Sequence, residues 1–269
     1  MTYMSSVAIG GQIMDKDALY RLQDRVIADL QRLPADSFAH AKLCGGTALS
    51  RCWLDHRISY DLDFFFPEGF RAQSLAMALK KAGVRYVVHD MVDDPHKANQ
   101  LHGQVVSARE RLKVSFVEDA YFSVFPPITK PWGALAVQTE SVEGLYHRKL
   151  RTVAGSGQEG EGVLGGRQTA RDVFDLYVLS QTVMPLRPFM DTLPYAFPIT
   201  AFEEGLAAMR WFDLVPELQE ILCAPRWNAA KNVGVLQEAL FAQLDITAGF
   251  DDPQDDGGQD PSASSRGRP

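Results

Sequence analysis

The sequence predicts an α/β protein of the α+β kind, with a mixed β-sheet flanked by helices and a helical C-terminal region after it. Three observations predict this. Up to about residue 118, segments of helical period alternate with short strand-like runs. From Thr139 onward the apolar pattern is helical only. From about residue 247 the chain turns to Asp, Gly, Pro and Ser without apolar periodicity.

The elements follow in order. Leu19, Leu22, Val26, Leu30 and Leu33 form a helical stripe over 17–33, with Asp15 or Asp17 as cap and Pro34 as stop. Residues 38–44 read as a short strand and Thr47 to about Asp55 as a helix. Ser59–Phe66 reads as a strand ended by Pro67-Glu68-Gly69. Leu75, Ala78, Leu79 and Ala82 predict a helix over 71–82. Val84–Val92, Gln100–Ala108 and Arg111–Val117 alternate as strands. Thr139–Val153 is helical through Val142, Leu145, Tyr146, Leu150 and Val153. Thr169–Ser180, 200–212 and 231–246 complete the helices. The expected organisation is a sheet domain over 1–138, a helical domain over 139–246 that completes a cleft, and a disordered acidic tail over 247–269.

With 269 residues, 46% hydrophobic and 23% charged, the chain is ordinary for a globular protein. Its net charge of −7 argues against a general nucleic-acid coat and leaves room for a local basic patch. Cys44, Cys52 and Cys223 show no paired metal spacing and read as reduced apolar residues. No secretory leader is evident and no run approaches a membrane span, so a cytoplasmic protein without membrane association is expected.

Gly45-Gly46-Thr47-Ala48-Leu49 and Asp61-Leu62-Asp63-Phe64-Phe65 are the most informative stretches. Strand side chains alternate, so Asp61 and Asp63 point one way, and Leu62, Phe64 and Phe66 the other. Two adjacent carboxylates repel and stay ionised together only around a cation. Two hard oxygen donors suit Mg²⁺, which completes its shell with phosphate and water. The glycine turn offers backbone N–H groups to a phosphate. A solvated edge strand is the bland alternative, weakened by Phe64-Phe65-Phe66, which point to a buried central strand.

In the helical half, Lys149 falls on the apolar stripe formed with Val142, Tyr146 and Val153. It either snorkels from a core edge or projects toward an anion. The run from Thr169 is apolar nearly all round except at Arg171, Asp172 and Asp175, so it should be buried. Thr169-x-x-Asp172 fits a capping box. Asp175 then needs its own partner, with Lys149 or Arg171 available.

Taken together these motifs resemble the DNA polymerase β-like nucleotidyltransferase superfamily. Gly45-Gly46-Thr47-Ala48-Leu49, Arg57-x-Ser59-x-Asp61-Leu62-Asp63-Phe64-Phe65, Lys149 and Arg171-Asp172-Val173-Phe174-Asp175-Leu176-Tyr177 resemble its AbiEii/AbiGii branch, which includes the MenT toxins. The match spans roughly residues 40–180. The resemblance implies a nucleotidyltransferase fold followed by a helical domain, with the site between them. It implies that Asp61 and Asp63 bind Mg²⁺, two ions in all, and that Gly45, Gly46 and Thr47 hold the triphosphate of an NTP. Lys149 would contact phosphate, and Asp172 would line the site as a further catalytic group. Arg171 and Asp175 are assigned to nucleotide binding.

The implied activity is a Mg²⁺-dependent toxin of a toxin–antitoxin or abortive-infection (phage defence) system. It would move NMP from an NTP to an RNA acceptor such as tRNA, beside a cognate antitoxin. Arg51, Arg57, His147, Arg148, Arg151 and Arg167 could supply basic surface to the RNA. The alternatives are a same-fold enzyme acting on a small molecule or protein, and a non-catalytic nucleotide-binding or antitoxin-binding protein. Many superfamily members carry a third carboxylate on a neighbouring strand, where this chain has Ser115. Glu118, Asp119 or Asp172 could stand in for it, and the general base is left unassigned. Residues 155–166 are glycine-rich and read either as a lid over the acceptor or as a slack surface loop.

Overall fold

The computed structural model describes residues 6–9, 12–107, 110–154 and 169–244. The expected acidic tail and the glycine-rich stretch lie outside the described residues. Strands β1 (Ser6–Ile9) and β2 (Gln12–Asp15) form a two-stranded hairpin. Helix α1 (Lys16–Leu30) follows directly, capped by Asp15, whose carboxylate accepts from the Ala18 N–H at 2.6 Å. It buries Leu19, Leu22, Val26 and Leu30 of the predicted stripe together with Ile27, and Leu33 lies beyond its end.

After the one-turn helix α2 (Ala35–Phe38) comes β3 (Lys42–Cys44). Helix α3 (Gly45–Ala48) then runs into a π-helical turn over Leu49–Leu54. Asp55 ends that turn in the left-handed region at φ 42°. The aspartate strand is β4 (Leu62–Phe66), shorter at its start than the sequence suggests. Helix α4 (Ala72–Lys81) and strands β5 (Tyr86–Val92), β6 (Gln100–Ser107) and β7 (Glu110–Glu118) sit close to their predicted limits.

Like β1 and β2, two further strands are not among those the sequence predicts: β8 (Ile128–Trp132) and β9 (Leu135–Thr139). Thr139 therefore ends a strand instead of opening a helix. Its hydroxyl donates to the Leu43 carbonyl at 2.7 Å, tying β9 to β3. The seven-stranded sheet has the order β5-β6-β7-β4-β3-β9-β8. It is mixed, since β4/β7 and β3/β9 are parallel and the other pairs antiparallel.

One face of the sheet is dry. Leu62, Phe64 and Phe66 of β4 lie there with Val114 and Phe116 of β7 and Leu101 of β6. Phe64 stacks on Phe116 with centroids 5.7 Å apart, and Phe38 meets Phe64 edge-on at 5.0 Å. Helices α1, α2 and α4 cover this face. The other face carries Asp63 and Phe65, and the run of phenylalanines does mark a central strand, as its register with β3 and β7 shows.

The helical half contains α5 (Val142–Ala154), α6 (Ala170–Thr182), α7 (Leu186–Asp191), α8 (Ile199–Ala207), α9 (Val215–Glu220) and α10 (Val233–Phe241). Helix α6 is buried as its composition requires, with Val173, Phe174, Leu176, Val178 and Leu179 fully enclosed. Tyr146 of α5 stacks on Phe189 of α7 at 4.1 Å. A strap ties the two halves together. The Ile58 N–H donates to Leu222 and the Ala224 N–H to His56, both at 2.8 Å, around an Arg57–Cys223 bridge.

Candidate functional site

The aspartates stand where β3, β4 and β7 meet. Asp63 lies opposite Cys44 on β3 and opposite Ser115 on β7. Asp61 sits one residue before β4, its carboxylate 3.7 Å from the Lys113 ammonium. Its carbonyl accepts from the buried Thr47 hydroxyl. The approach to Asp61 is fixed from below, because the buried Gln23 amide of α1 donates to the Ser59 carbonyl at 2.9 Å. With its hydroxyl committed to that anchor, Thr47 would meet a phosphate through backbone N–H.

The two glycines have different reasons. Gly45 has φ +70°, and a Cβ there would stand 2.6 Å from Asp63 Oδ2. A Cβ on Gly46 would stand 2.4 Å from an Arg57 guanidinium nitrogen and 3.0 Å from the Ser59 hydroxyl. The first glycine lets Asp63 lie against the turn, and the second admits Arg57. Gly45→Ala is expected to cost about 1–2 kcal/mol from the left-handed backbone alone. It should also displace the Asp63 carboxylate. An unchanged melting temperature would contradict this.

Arg57 leads to the second half of the site. Asp175 is fully buried and takes both oxygens to the Arg57 fork, at 2.6 Å from Nε and 2.7 Å from a terminal nitrogen. His56 Nε2 donates to the same carboxylate at 2.7 Å, and Lys149 Nζ lies 2.8 Å from it. Lys149 also donates to Asp172 at 2.6 Å. The Thr169 hydroxyl in turn donates to Asp172 at 2.6 Å. Burial would raise the Asp175 carboxyl, but Arg57, Lys149 and His56 hold it well below the usual carboxylate range. Burial likewise opposes the Lys149 charge, and Asp172 and Asp175 outweigh it, so the ammonium's pKa rises. Two cations face two carboxylates, and burial keeps His56 toward its neutral form.

A third cluster closes the far side of β4. Arg148 donates to Glu140 at 2.6 and 2.7 Å and to Asp119 at 2.7 Å, and its guanidinium lies 4.2 Å from the Phe65 ring centre. Lys42, buried, adds an ion pair to Glu140 at 3.2 Å. Glu118 accepts from the Gly69 and Asn99 N–H groups at 2.6 and 2.8 Å. Glu118 and Asp119 are thus committed to these contacts.

His147 neighbours this cluster and bonds the Tyr195 hydroxyl. Burial, then Arg151 and Arg148, push its imidazole down to about 4. The unfolded ring takes a proton near 6.5 that the folded ring refuses until about 4. Stability is therefore expected to fall by up to about 3 kcal/mol as pH drops through that window. Urea midpoints at neutral pH and near pH 4.5 check this. His147→Gln should flatten the dependence, and an unchanged slope would contradict it.

The structure brings most of the expected site residues into one contiguous chain of contacts. Asp63 abuts Gly45, Gly46 abuts Arg57, and Arg57, Asp175, Lys149 and Asp172 follow by ion pairs. Asp61 and Thr47 join through the Thr47 hydroxyl. Arg171 stands apart from this chain, exposed, its guanidinium 5.6 Å from the Tyr60 ring centre. Of the two readings of Lys149, it follows the second: it is buried on the apolar stripe and directed at Asp172 and Asp175, not snorkelling to solvent. His56 and Arg57 are the Asp175 partners the sequence did not assign, although Arg57 lies in the same motif string as the aspartates. Cys44, buried, has its thiol pushed up by burial and is no nucleophile.

The donor set fits Mg²⁺. Asp63 on β4 and Asp61 one residue before it are hard oxygen donors, and Gly45 leaves room against Asp63. Among the described residues no three His, Cys, Asp or Glu side chains converge on a metal position. The remaining ligands would be phosphate and water, as that ion prefers.

Two carboxylates at the start of β4 thus lie beside a glycine turn and a buried ion-pair cluster of Arg57, Lys149, Asp172 and Asp175. Residues 29–240 match the family described as nucleotidyl transferase AbiEii toxin, type IV TA system. The chain belongs to this family: it is a nucleotidyltransferase of the type IV toxin–antitoxin kind, for which an NTP substrate and an antitoxin are implied. No curated protein matches the chain. Among solved structures it is similar to JHP933 from Helicobacter pylori, at 16% identity over 84% of this chain and 93% of that one, TM-score 0.44. It is also similar to an antigenic nucleotidyltransferase-like protein from Paracoccidioides brasiliensis, at 15% identity over 81% and 93%, TM-score 0.42. Among the described residues no helix is long and apolar enough to cross a membrane.

Proposed function

We propose that this chain is a Mg²⁺-dependent toxin that transfers NMP from an NTP to RNA, with tRNA as the acceptor class, in the cytoplasm and under the control of a cognate antitoxin. The single observation that carries the reading is the unbroken contact chain from Asp63 through Gly45, Gly46, Arg57 and Asp175 to Lys149 and Asp172. It joins a metal-competent carboxylate pair to a buried cluster in which Arg57 and Lys149 face Asp172 and Asp175. In this reading residues 1–138 form the nucleotidyltransferase domain and residues 139–246 the helical domain that completes the cleft.

Asp61 and Asp63 would hold Mg²⁺, which supplies charge neutralisation at the phosphates when bound. Gly45, Gly46 and Thr47 would receive the triphosphate on backbone N–H groups. Lys149 would offset charge on the departing pyrophosphate, with Asp172 and Asp175 fixing its ammonium. Arg171, beside Tyr60, would meet the nucleotide at the rim. Arg148 is spent on Glu140 and Asp119; Arg151, 29% exposed, pairs with Asp119 only at 3.6 Å and lies 3.4 Å from the Tyr121 ring centre, and it would offer RNA charge beside an aromatic face.

Ser115, opposite Asp63, favours a second reading in which the chain binds a nucleotide without transferring it. Expression in a bacterial host separates the two. Growth arrest by the wild type that Asp63→Ala abolishes supports transfer, and equal toxicity of both would point to binding alone.

A further inference from the structure

We propose that His102 is the general base of the transfer, taking the proton of the acceptor hydroxyl as that oxygen attacks the α-phosphorus. The inference rests on the transferase reading above and supplies the catalytic group that Ser115 leaves missing. Its basis is the register of the sheet. Asp90 of β5 lies opposite His102 of β6, His102 opposite Ser115 of β7, and Ser115 opposite Asp63 of β4. Residues paired directly across strands share a face. The four side chains therefore form one row across the face that carries Asp63, not the face that packs on α1, α2 and α4. Adjacent strands are about 4.8 Å apart, so the His102 and Asp63 backbones are about 10 Å apart. The small Ser115 side chain stands between them. An acceptor hydroxyl placed over Ser115 would have the imidazole on one side and the Asp63 carboxylate on the other.

The ring is prepared for this. Its Nε2 lies 2.8 Å from Gln100 Oε1, two residues back on the same face. In the tautomer that donates from Nε2 to this carbonyl oxygen, Nδ1 carries the lone pair that can take a proton. The charged groups facing it are Asp90 from β5 and Lys113 from β7. Burial lowers its proton affinity, Asp90 raises it and Lys113 lowers it, and the ring stays neutral near pH 7. The other candidate bases are engaged: Glu118 on two backbone N–H groups, Asp119 on Arg148, and Asp172 on Lys149.

The step balances. The acceptor O–H breaks and its proton moves to Nδ1. The oxygen forms the new bond to the α-phosphorus. The bond from that phosphorus to the bridging oxygen breaks, and pyrophosphate leaves with the electron pair. Asp90 steadies the imidazolium until the proton passes to water.

Single-turnover transfer from an α-labelled NTP to RNA, followed from pH 5 to 9, tests this in full-length protein. NTP affinity is measured in parallel by fluorescence titration. His102→Gln is expected to lower the transfer rate by about 10²–10⁴-fold and to remove the acidic limb of the profile. NTP affinity and the melting temperature should be unchanged. Added imidazole should restore part of the rate to His102→Ala, which no structural role would allow. A second variant, Ser115→Asp in the His102→Gln background, should regain activity by placing a carboxylate beside Asp63. Transfer by His102→Gln within threefold of wild type with the acidic limb intact would overturn the proposal, as would a misfolded His102→Gln together with no rescue of His102→Ala. Wild-type protein that binds NTP and transfers nothing would bring down the transferase reading itself, and this base with it.

Discussion

Asp175→Ala is expected to destabilise the protein by about 3–5 kcal/mol, the usual cost of removing one partner from a buried charge cluster. The carboxylate is fully enclosed and meets Arg57 twice, Lys149 once and His56 once. Its loss leaves Arg57 and Lys149 facing Asp172 alone, inside a region that water does not reach. A chemical-denaturation midpoint measures the loss, and a change below about 1 kcal/mol would refute the account of this cluster. The pH dependence has a definite sign. The folded carboxyl titrates well below its unfolded value, so its stabilisation is complete above about pH 4 and disappears as pH falls through the lower, folded value. This is a different window from that of His147, and the two should appear as separate phases of acid destabilisation.

Asp63→Asn is expected to leave the fold intact and to reduce nucleotidyl transfer by at least about 10³-fold, the scale of losing a principal electrostatic group at a phosphoryl centre. The residue is half-buried on the site face, and asparagine keeps its shape. The substitution keeps the size of this half-buried side chain, so the metal-free variant should stay folded near the wild-type melting temperature. Mg²⁺ with NTP should raise the melting temperature of wild type and not of the variant. A variant that transfers normally would mean that Asp63 is no metal ligand. A variant that melts well below wild type would mean that its role is structural.

How much of this was legible in the sequence depends on range. The Leu19-to-Leu30 stripe, the Phe64 strand and the enclosed α6 were legible because helical period, strand alternation and burial are local properties. Strands β8 and β9 were not. Each spans five residues, β8 includes Pro131, and β9 is fixed by its pairing with β3, 96 residues away in sequence. At the site, Gly45, Gly46, Asp61 and Asp63 were legible because one short segment holds them. The Asp175 partnership was half legible: a buried carboxylate demands a cation, and Lys149 was the candidate within reach of the helical pattern. Arg57 and His56 come from a strap 118 and 119 residues away. His102 had no local signal, since only the register of three strands aligns it with Asp63. Ser115 was legible only through the superfamily resemblance, which puts a carboxylate on a neighbouring strand; the register does pair Ser115 with Asp63.

The most direct measurement is incubation of the purified full-length protein with Mg²⁺, each α-labelled NTP in turn and total bacterial RNA, with Asp63→Ala alongside. The account predicts label in tRNA-sized RNA from wild type alone, which would identify the base preference and the acceptor class together. No label with any NTP, beside measurable NTP binding, would contradict transfer to RNA and turn the search to another acceptor or to a binding role.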